Sequence, residues 1–157
     1  MRTIVFLIFL FAFSSSFAQS KKEVKKHKIK SVIATETEGG KTLNDSKTIF
    51  DSNGEVLEET SYNKDGTLKT IHKYKYNGEG DEIEECEYDS GNVLKEKKLT
   101  KYNNQGEKSE EQFYDKDLKL LKKNVYAYDN KGLKTERKTF DGAGKIVSVK
   151  KYTYTFK

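Results

Sequence analysis

Tyrosine is the side chain whose number and spacing in this sequence could do chemistry at a surface. The 157 residues contain ten Tyr, nine Phe and no Trp. A phenol ring is amphipathic, so arrayed Tyr side chains can stack on sugar rings or anchor a protein partner. The candidate partner-binding aromatics are Tyr74, Tyr76, Tyr102, Tyr126, Tyr128, Tyr152 and Tyr154. The competing interpretation is that these rings pack on one another and on the aliphatic stems of lysines.

Patterns of catalytic or metal-binding residues do not stand out from the charged background. No nucleophile–base pair, phosphate loop or carboxylate pair is recognisable, and His27 and His72 are isolated from other metal ligands. Cys86 is the single cysteine, so it has no partner for an internal disulfide. The Asp- and Asn-containing turns at 51–54 and 63–66 are four residues long, whereas an EF-hand loop needs twelve. We therefore expect a protein that is not an enzyme and uses no cofactor or metal.

The aromatic residues define an internal repeat. Steps of 12 and 14 alternate between successive aromatics, so the pattern forms a 26-residue unit of two unequal halves. The nine aromatics are Phe50, Tyr62, Tyr76, Tyr88, Tyr102, Tyr114, Tyr128, Phe140 and Tyr154. The first eight are each followed by Asp or Asn, and Gly stands four places after the aromatic in six of them. Asn92 and Leu118 occupy the Gly place in the other two.

This spacing has the chemistry of a turn. An Asp or Asn at the first position caps nearby backbone N–H groups, and a Gly three places later adopts the left-handed conformation that closes the turn. The segments between turns have ordinary strand lengths and contain no Pro. Short turns make neighbouring strands antiparallel. The sequence therefore predicts an all-β antiparallel meander of ten strands, at about 28–37, 42–50, 55–62, 67–76, 81–88, 93–102, 107–114, 119–128, 133–140 and 145–156.

The alternation of side chains along these strands predicts a sheet without a dry face. All nine repeat aromatics have even numbers, so we expect them on one face, with polar side chains such as His72 and Lys98 in its middle. Charged residues are also mixed with the aliphatic residues at odd positions. A membrane barrel needs an apolar outer band and a sandwich needs one dry face per sheet, so neither fits. A single-layer or partly rolled sheet, held by Glu–Lys and aromatic cross-strand pairs, fits better.

The N-terminal part of the chain differs from the repeats. Arg2, the apolar run 4–13 and the small residues Ser16 and Ala18 are typical of a secretory signal peptide at 1–18, and this apolar run is too short to span a membrane. The segment 19–27 is basic, and we expect it to be solvated, with attraction to an anionic envelope surface as the alternative. The hairpin repeat domain then covers 28–157. In the mature part, Leu, Ile, Val and Phe together make up only about a fifth of the residues, which argues against a large core.

One stretch of the repeat resembles a known family. The stretch 126–133, Tyr-Ala-Tyr-Asp-Asn-Lys-Gly-Leu, resembles the core Y-x-Y-D-x-x-G-x-L of the YD (Rhs-type) repeat, although Leu133 follows Gly132 directly, and 74–77 and 152–154 echo the opening of that core. The chain also resembles the MORN-like hairpin repeats of small proteins exported by bacteria. The resemblance implies strips of antiparallel sheet that curl or bind partners, and it implies no catalytic residue. With four to five units, the chain is too short for a closed shell.

These features lead to three functional hypotheses. The first is an exported, periplasmic or extracellular repeat protein that presents an extended β-sheet surface to a protein or glycan partner. The second is a small ligand carrier or enzyme, formed by rolling the meander into a barrel. The third is a structural or adhesin-like protein whose sheet edges pair weakly between copies. Nucleic acid is not an expected partner, because the repeats interleave both signs of charge. No transmembrane segment is expected after cleavage of the signal.

Overall fold

The computed structural model describes residues 20–157, so the predicted signal peptide lies outside the described residues. One short helix, α1, spans Lys21–His27. Ten strands follow, and they confirm the all-β class. In chain order they are β1 Ser31–Glu38, β2 Lys41–Phe50, β3 Val56–Tyr62, β4 Leu68–Tyr76, β5 Glu82–Asp89, β6 Leu94–Tyr102, β7 Lys108–Asp115, β8 Leu120–Tyr128, β9 Lys134–Asp141 and β10 Ile146–Lys151.

The strands form one open antiparallel sheet in which spatial order equals chain order. Every strand from β2 to β9 pairs with both of its sequence neighbours, while β1 pairs with β2 and β10 pairs with β9. The sheet is therefore not closed, and the predicted ligand carrier or enzyme built on a rolled barrel is wrong in its architecture. No helix among residues 20–157 has the length and apolar content that a membrane span requires.

The turns confirm the chemistry expected from the Asp/Asn and Gly spacing. At the β2–β3 turn, the Asp51 carboxylate accepts hydrogen bonds from the N–H groups of Asn53 and Glu55, each at 2.8 Å. Gly54 has a φ of +82°, and its N–H donates to the Asp51 carbonyl. The later turns repeat this backbone arrangement, and Asn92 and Leu118 adopt the left-handed conformation without being glycine.

A β-bulge near the start of each strand from β3 to β10 changes which residues share a face. At the β4–β5 hairpin, Lys75 is opposite Glu84 but Tyr76 is opposite Glu82, so Ile83 is an extra residue. Beyond the bulge, odd residues of one strand stand opposite even residues of the next. The prediction that all even-numbered aromatics share one face is therefore wrong. The extra residues are Leu57, Lys69, Ile83, Lys95, Ser109, Leu121, Thr135 and Val147.

The repeat aromatics consequently alternate between the two faces. The face that carries Phe50 and the seven candidate tyrosines is called the tyrosine face here, and its even positions lie on even-numbered strands. Tyr62, Tyr88, Tyr114 and Phe140 lie on the opposite face. The most deeply buried carboxylates are on the tyrosine face, Glu85 at 7% exposure and Glu111 at 9%. A single-layer sheet thus buries polar side chains on part of one face, and it does so without a thick apolar core.

The basic N-terminal segment is helical, and Val24 packs on the sheet while the lysines of α1 stay exposed to solvent. The Ser20 side chain caps the Glu23 N–H of α1, which matches the S-x-x-E capping box. Val24 in α1 is 1% exposed. A Cβ atom at Gly54 would lie 2.7 Å from the Lys21 carbonyl oxygen, so the helix approaches the β2–β3 turn closely. Sequence reasoning missed α1 because a seven-residue helix with one apolar residue has almost no periodic signal.

Candidate functional site

Four of the candidate tyrosines form a regular series across the tyrosine face. Each is the last aromatic of an even-numbered strand or its extension, and its hydroxyl donates to the backbone carbonyl twenty residues earlier. The pairs are Tyr76 to Val56 at 2.9 Å, Tyr102 to Glu82 at 3.0 Å, Tyr128 to Lys108 at 2.8 Å and Tyr154 to Lys134 at 2.8 Å. These bonds hold the rings in place, so a partner would meet the ring surfaces while the hydroxyls stay engaged within the sheet.

A row of three carboxylates, which we call the carboxylate row, lies between the tyrosines. Glu59, Glu85 and Glu111 stand one repeat unit apart on β3, β5 and β7. Tyr74 donates from its hydroxyl to Glu59 at 3.1 Å, and Tyr126 donates in the same way to Glu111. Burial, together with the neighbouring carboxylates, raises the pKa of Tyr74 far above its usual value, so its phenol remains a donor.

The central member of the row, Glu85, is held by a lysine and a histidine. Lys98 donates to its carboxylate, and His72 Nδ1 lies 3.5 Å from the other oxygen. Burial alone would raise the pKa of Glu85, but the contacts with His72 and Lys98 outweigh burial and keep that pKa below the usual value. The same contact with Glu85 raises the pKa of His72. The central unit therefore carries an ionised carboxylate that is neutralised within the sheet.

Glu111 has a larger set of partners. Lys108 Nζ donates to Oε1 at 2.7 Å, and Asn124 Nδ2 donates to Oε2 at 3.2 Å, beside the Tyr126 hydroxyl. Thr139 Oγ1 extends the network by donating to Asn124 Oδ1 at 2.9 Å. Burial would raise the pKa of Glu111, but the bonds from Lys108 and Tyr126 lower it more. One hydrogen-bond network thus links β7, β8 and β9.

The carboxylate row is the feature that sequence reasoning missed. Its members have odd numbers, whereas the expectation of even-numbered residues on the tyrosine face places Glu84 and Glu110 beside the tyrosines. Those two residues lie on the opposite face, where Glu84 binds Lys75 and Lys97, each at 2.7 Å. The regular spacing of Glu59, Glu85 and Glu111, one repeat unit at each step, was a signal that could have found the row.

A cleft of about 990 Å³ lies between α1 and the tyrosine face. Tyr74, Tyr76 and Leu57 line it together with the turn that joins β4 to β5, and lysines of α1 form another part of the wall. Lys21 bonds to Glu55 across the cleft. The cleft is thus a polar groove with an aromatic side. It contains cations and carboxylates in similar number, so its charge favours no one class of ligand.

Tyr152, the remaining candidate, lies in the last unit. Its backbone N–H donates to the Thr135 carbonyl at 3.0 Å, although β10 ends at Lys151, short of the predicted 145–156. The Lys150 Nζ atom lies 5.3 Å from the centre of the Tyr152 ring, within cation–π distance. The last residues of β8 pair with the strand that follows it, and β10 has no following strand in this sheet, which explains why regular pairing stops after Lys151. The structure therefore brings all seven candidate tyrosines to one face.

The described residues hold no group of three or more His, Cys, Asp and Glu side chains arranged for a metal ion. Cys86 is a buried free thiol on β5, on the face opposite the tyrosines. Burial, followed by the nearby Glu84, raises the pKa of this thiol. A raised pKa disfavours the thiolate, so the geometry of Cys86 does not favour a nucleophile.

Comparison with known proteins gives likeness of shape only. No protein-family model and no curated protein matches the chain, so the resemblance to YD and MORN-like repeats stays a prediction. A Bacteroides fragilis NCTC 9343 protein of unknown function is 14% identical, over 81% of this chain and 96% of that one, with a TM-score of 0.44. A DUF3836 family protein from Parabacteroides distasonis ATCC 8503 is 18% identical, covering 72% and 91%, with a TM-score of 0.25.

A third similar structure belongs to a much longer protein. S. aureus TarM is 18% identical over 83% of this chain, but the matched part is 24% of TarM, and the TM-score is 0.32. Identities and TM-scores at this level carry no argument about activity. The functional proposal therefore depends on this chain's own residues.

Proposed function

We propose that the chain is an exported, non-enzymatic repeat protein that binds a protein or glycan partner on the tyrosine face of its sheet. The observation that carries the proposal is the collection of all seven candidate tyrosines on one face of an open, single-layer sheet. In the described part of the chain no second sheet covers that face, and the exposure of its tyrosines ranges from 8% for Tyr74 to 42% for Tyr154. Tyr rings contribute large, rigid contact area at low entropic cost, which suits a binding surface.

The repeat also suits a partner with repeated structure. Equivalent residues stand two strands apart, and two strand spacings amount to about 9.5 Å. A partner that contacts several equivalent positions gains affinity through effective concentration, even when each contact is weak. Periodicity of this kind favours a polymer such as a glycan, or a partner whose own surface repeats.

The absence of catalysis is part of the proposal, and the chemistry of the tyrosine face supports it. The carboxylates of Glu85 and Glu111 have lowered pKa values because cations and donors surround them, so they are poor general acids. The Tyr74 phenol has a raised pKa and a fixed acceptor in Glu59. These three groups stabilise a surface, because a catalytic acid or base needs a pKa near the working pH and the shifts of Glu85, Glu111 and Tyr74 move their pKa values away from it.

Export rests on the pattern of segment 1–18 alone. We expect cleavage after Ala18, which would leave Gln19 at the mature N-terminus. Intact mass measurement of the protein recovered from the medium or periplasm of an expressing bacterium checks this directly. A mass that still includes segment 1–18 would contradict export by this signal.

The binding test compares the two faces. The full chain is screened on a glycan array and in pull-downs, and the strongest partner is measured again with Tyr152→Ala. Tyr114→Ala is the matched control, since Tyr114 lies on the opposite face. We expect Tyr152→Ala to weaken binding and Tyr114→Ala to leave it unchanged, with both variants folded by circular dichroism. Blank screens, or equal weakening by both variants, would count against the proposed function.

A further inference from the structure

The fourth unit of the tyrosine face departs from the other three in charge. Glu59, Glu85 and Glu111 occupy equivalent places on β3, β5 and β7, and the next equivalent place, on β9, is Arg137. Arg137 stands directly opposite Tyr126 on β8 and Lys150 on β10. A guanidinium therefore stands at the place where Glu85 and Glu111 pair with lysines and where Glu59 and Glu111 accept hydrogen bonds from tyrosines.

Arg137 and Lys150 have no carboxylate of their own. Among residues 20–157, neither forms an ion pair, and the buried Nε atom of Arg137 has no hydrogen-bond partner. The adjacent Glu136 lies on the opposite face, where Lys138 bonds to it at 2.8 Å. Like charges directly opposite each other on neighbouring strands are destabilising. A bound anion would relieve that repulsion.

Aromatic rings flank the two cations. Tyr126 is opposite Arg137, and the Lys134 Nζ atom lies 4.4 Å from the centre of its ring. The ring of Tyr152 lies beside Lys150 on the other side. Glu111, on β7, is already bonded to Lys108, Asn124 and Tyr126, so it is not available to neutralise Arg137. The last unit thus combines a cationic pair with two aromatic rings on an accessible face.

We propose that Arg137 and Lys150 bind the carboxylate of an acidic sugar, with the rings of Tyr126 and Tyr152 beside the sugar. A carboxylate is the expected group because three equivalent places in this sheet contain one. A guanidinium donates two parallel hydrogen bonds to a carboxylate, a geometry that an ammonium cannot reproduce. The inference rests on the proposed function, since it specifies the glycan partner and the part of the tyrosine face that contacts it.

The test uses an oligogalacturonate as the probe and the full mature chain, in isothermal titration. The same oligosaccharide with its carboxyl groups methyl-esterified is the neutral control, and an oligoglutamate is the peptide control. We expect the acidic sugar to bind and the ester to bind at least about tenfold more weakly, because the ester cannot form the charge-assisted bond, which contributes more than a factor of about ten. The oligoglutamate keeps its carboxylates but has no sugar ring to lie beside Tyr126 and Tyr152, so we expect it to bind more weakly as well. If the ester binds as tightly as the acidic sugar, the carboxylate is not the recognised group. If the peptide binds as tightly, the sugar ring is not required.

Two variants locate the site. Arg137→Glu gives the last unit the carboxylate of the other three, so we expect loss of sugar binding with an unchanged or higher unfolding temperature. Lys151→Glu makes the same change of charge sign one strand away on the opposite face, and we expect binding within about twofold of wild type, because surface charges there are screened.

The outcomes also separate this inference from the proposed function. If Lys151→Glu weakens binding as much as the change at Arg137, or if no oligogalacturonate binds, the inference is overturned. If no oligogalacturonate binds, but another partner binds that Tyr152→Ala weakens and Arg137→Glu does not, the inference is overturned and the proposed function stands.

Discussion

Replacement of Leu118 by glycine should stabilise the protein. Leu118 occupies the glycine position of the β7–β8 turn with a φ of +59°, in the left-handed region where side chains of L-residues are strained. The residue is 58% exposed, so its side chain contributes little burial. The left-handed conformation costs a residue with a Cβ about 1–2 kcal/mol, and glycine loses about 0.5–1 kcal/mol in unfolded-state entropy. The net gain expected for Leu118→Gly is about 0.5–1 kcal/mol.

The measurement is the free energy of unfolding in urea together with the thermal midpoint. A gain of about 1 kcal/mol corresponds to a rise of about 3 °C for a chain of this size. The reverse change, Gly106→Leu, is the matched control, since Gly106 has a φ of +78° and a Cβ there would meet no atom within 4 Å. It isolates the backbone penalty and should destabilise by a similar amount.

The Asn92→Gly variant tests the same backbone strain at a turn where the expected cost is smaller. Asn adopts the left-handed conformation more readily than Leu, so the expected gain is smaller than for Leu118. If Leu118→Gly lowers stability, or if Gly106→Leu has no effect, the strain assigned to the turn position is refuted.

The other predictions concern packing and pH. Tyr128→Phe removes the bond to the Lys108 carbonyl, so the free energy of unfolding in urea should fall by about 1 kcal/mol, and no loss would show that the bond is dispensable. Val24→Ala should cost about 1–2 kcal/mol in the same assay because the side chain is buried; an unchanged midpoint would mean that α1 does not pack on the sheet. The pKa of Glu111 is lowered in the folded state, so Glu111→Gln should cost most at neutral pH and progressively less as pH falls below about 4, and a pH-independent cost would contradict this. The pKa of His72 is raised in the folded state, so its stabilisation is complete below the usual value of 6.5 and is lost as pH rises through the folded value. His72→Gln should therefore lower the free energy of unfolding most in acid, and a loss that grows with pH would contradict this.

The strand pattern could be predicted because its signal is local. An aromatic followed by Asp or Asn and then Gly determines a turn through side-chain capping and a left-handed backbone, whatever the rest of the chain does. The ends of β3 and β4 at Tyr62 and Tyr76 follow directly from it. The first turn, between β1 and β2, contains Gly39 and Gly40 with positive φ, and it falls between the predicted strands 28–37 and 42–50.

The faces could not be predicted in the same way, because they depend on register between strands. One extra residue at each bulge, such as Ile83, reverses the parity of every pair beyond it. That reversal brought Glu85 next to Tyr74 and moved Glu84 to the other side. The charge change at Arg137 was therefore hidden as well, although its spacing from Glu111 is one repeat unit.

The most direct test of binding on the tyrosine face is a nuclear magnetic resonance titration of the labelled mature chain with oligogalacturonate. Amide shifts report which strands meet the sugar, independently of any substitution. We predict that the largest changes fall at Arg137, Lys150 and Tyr152 and at their neighbours across β8 and β9. Changes confined to residues whose side chains face the opposite side, such as Glu84, or the absence of any change at saturating sugar, would contradict binding by this face.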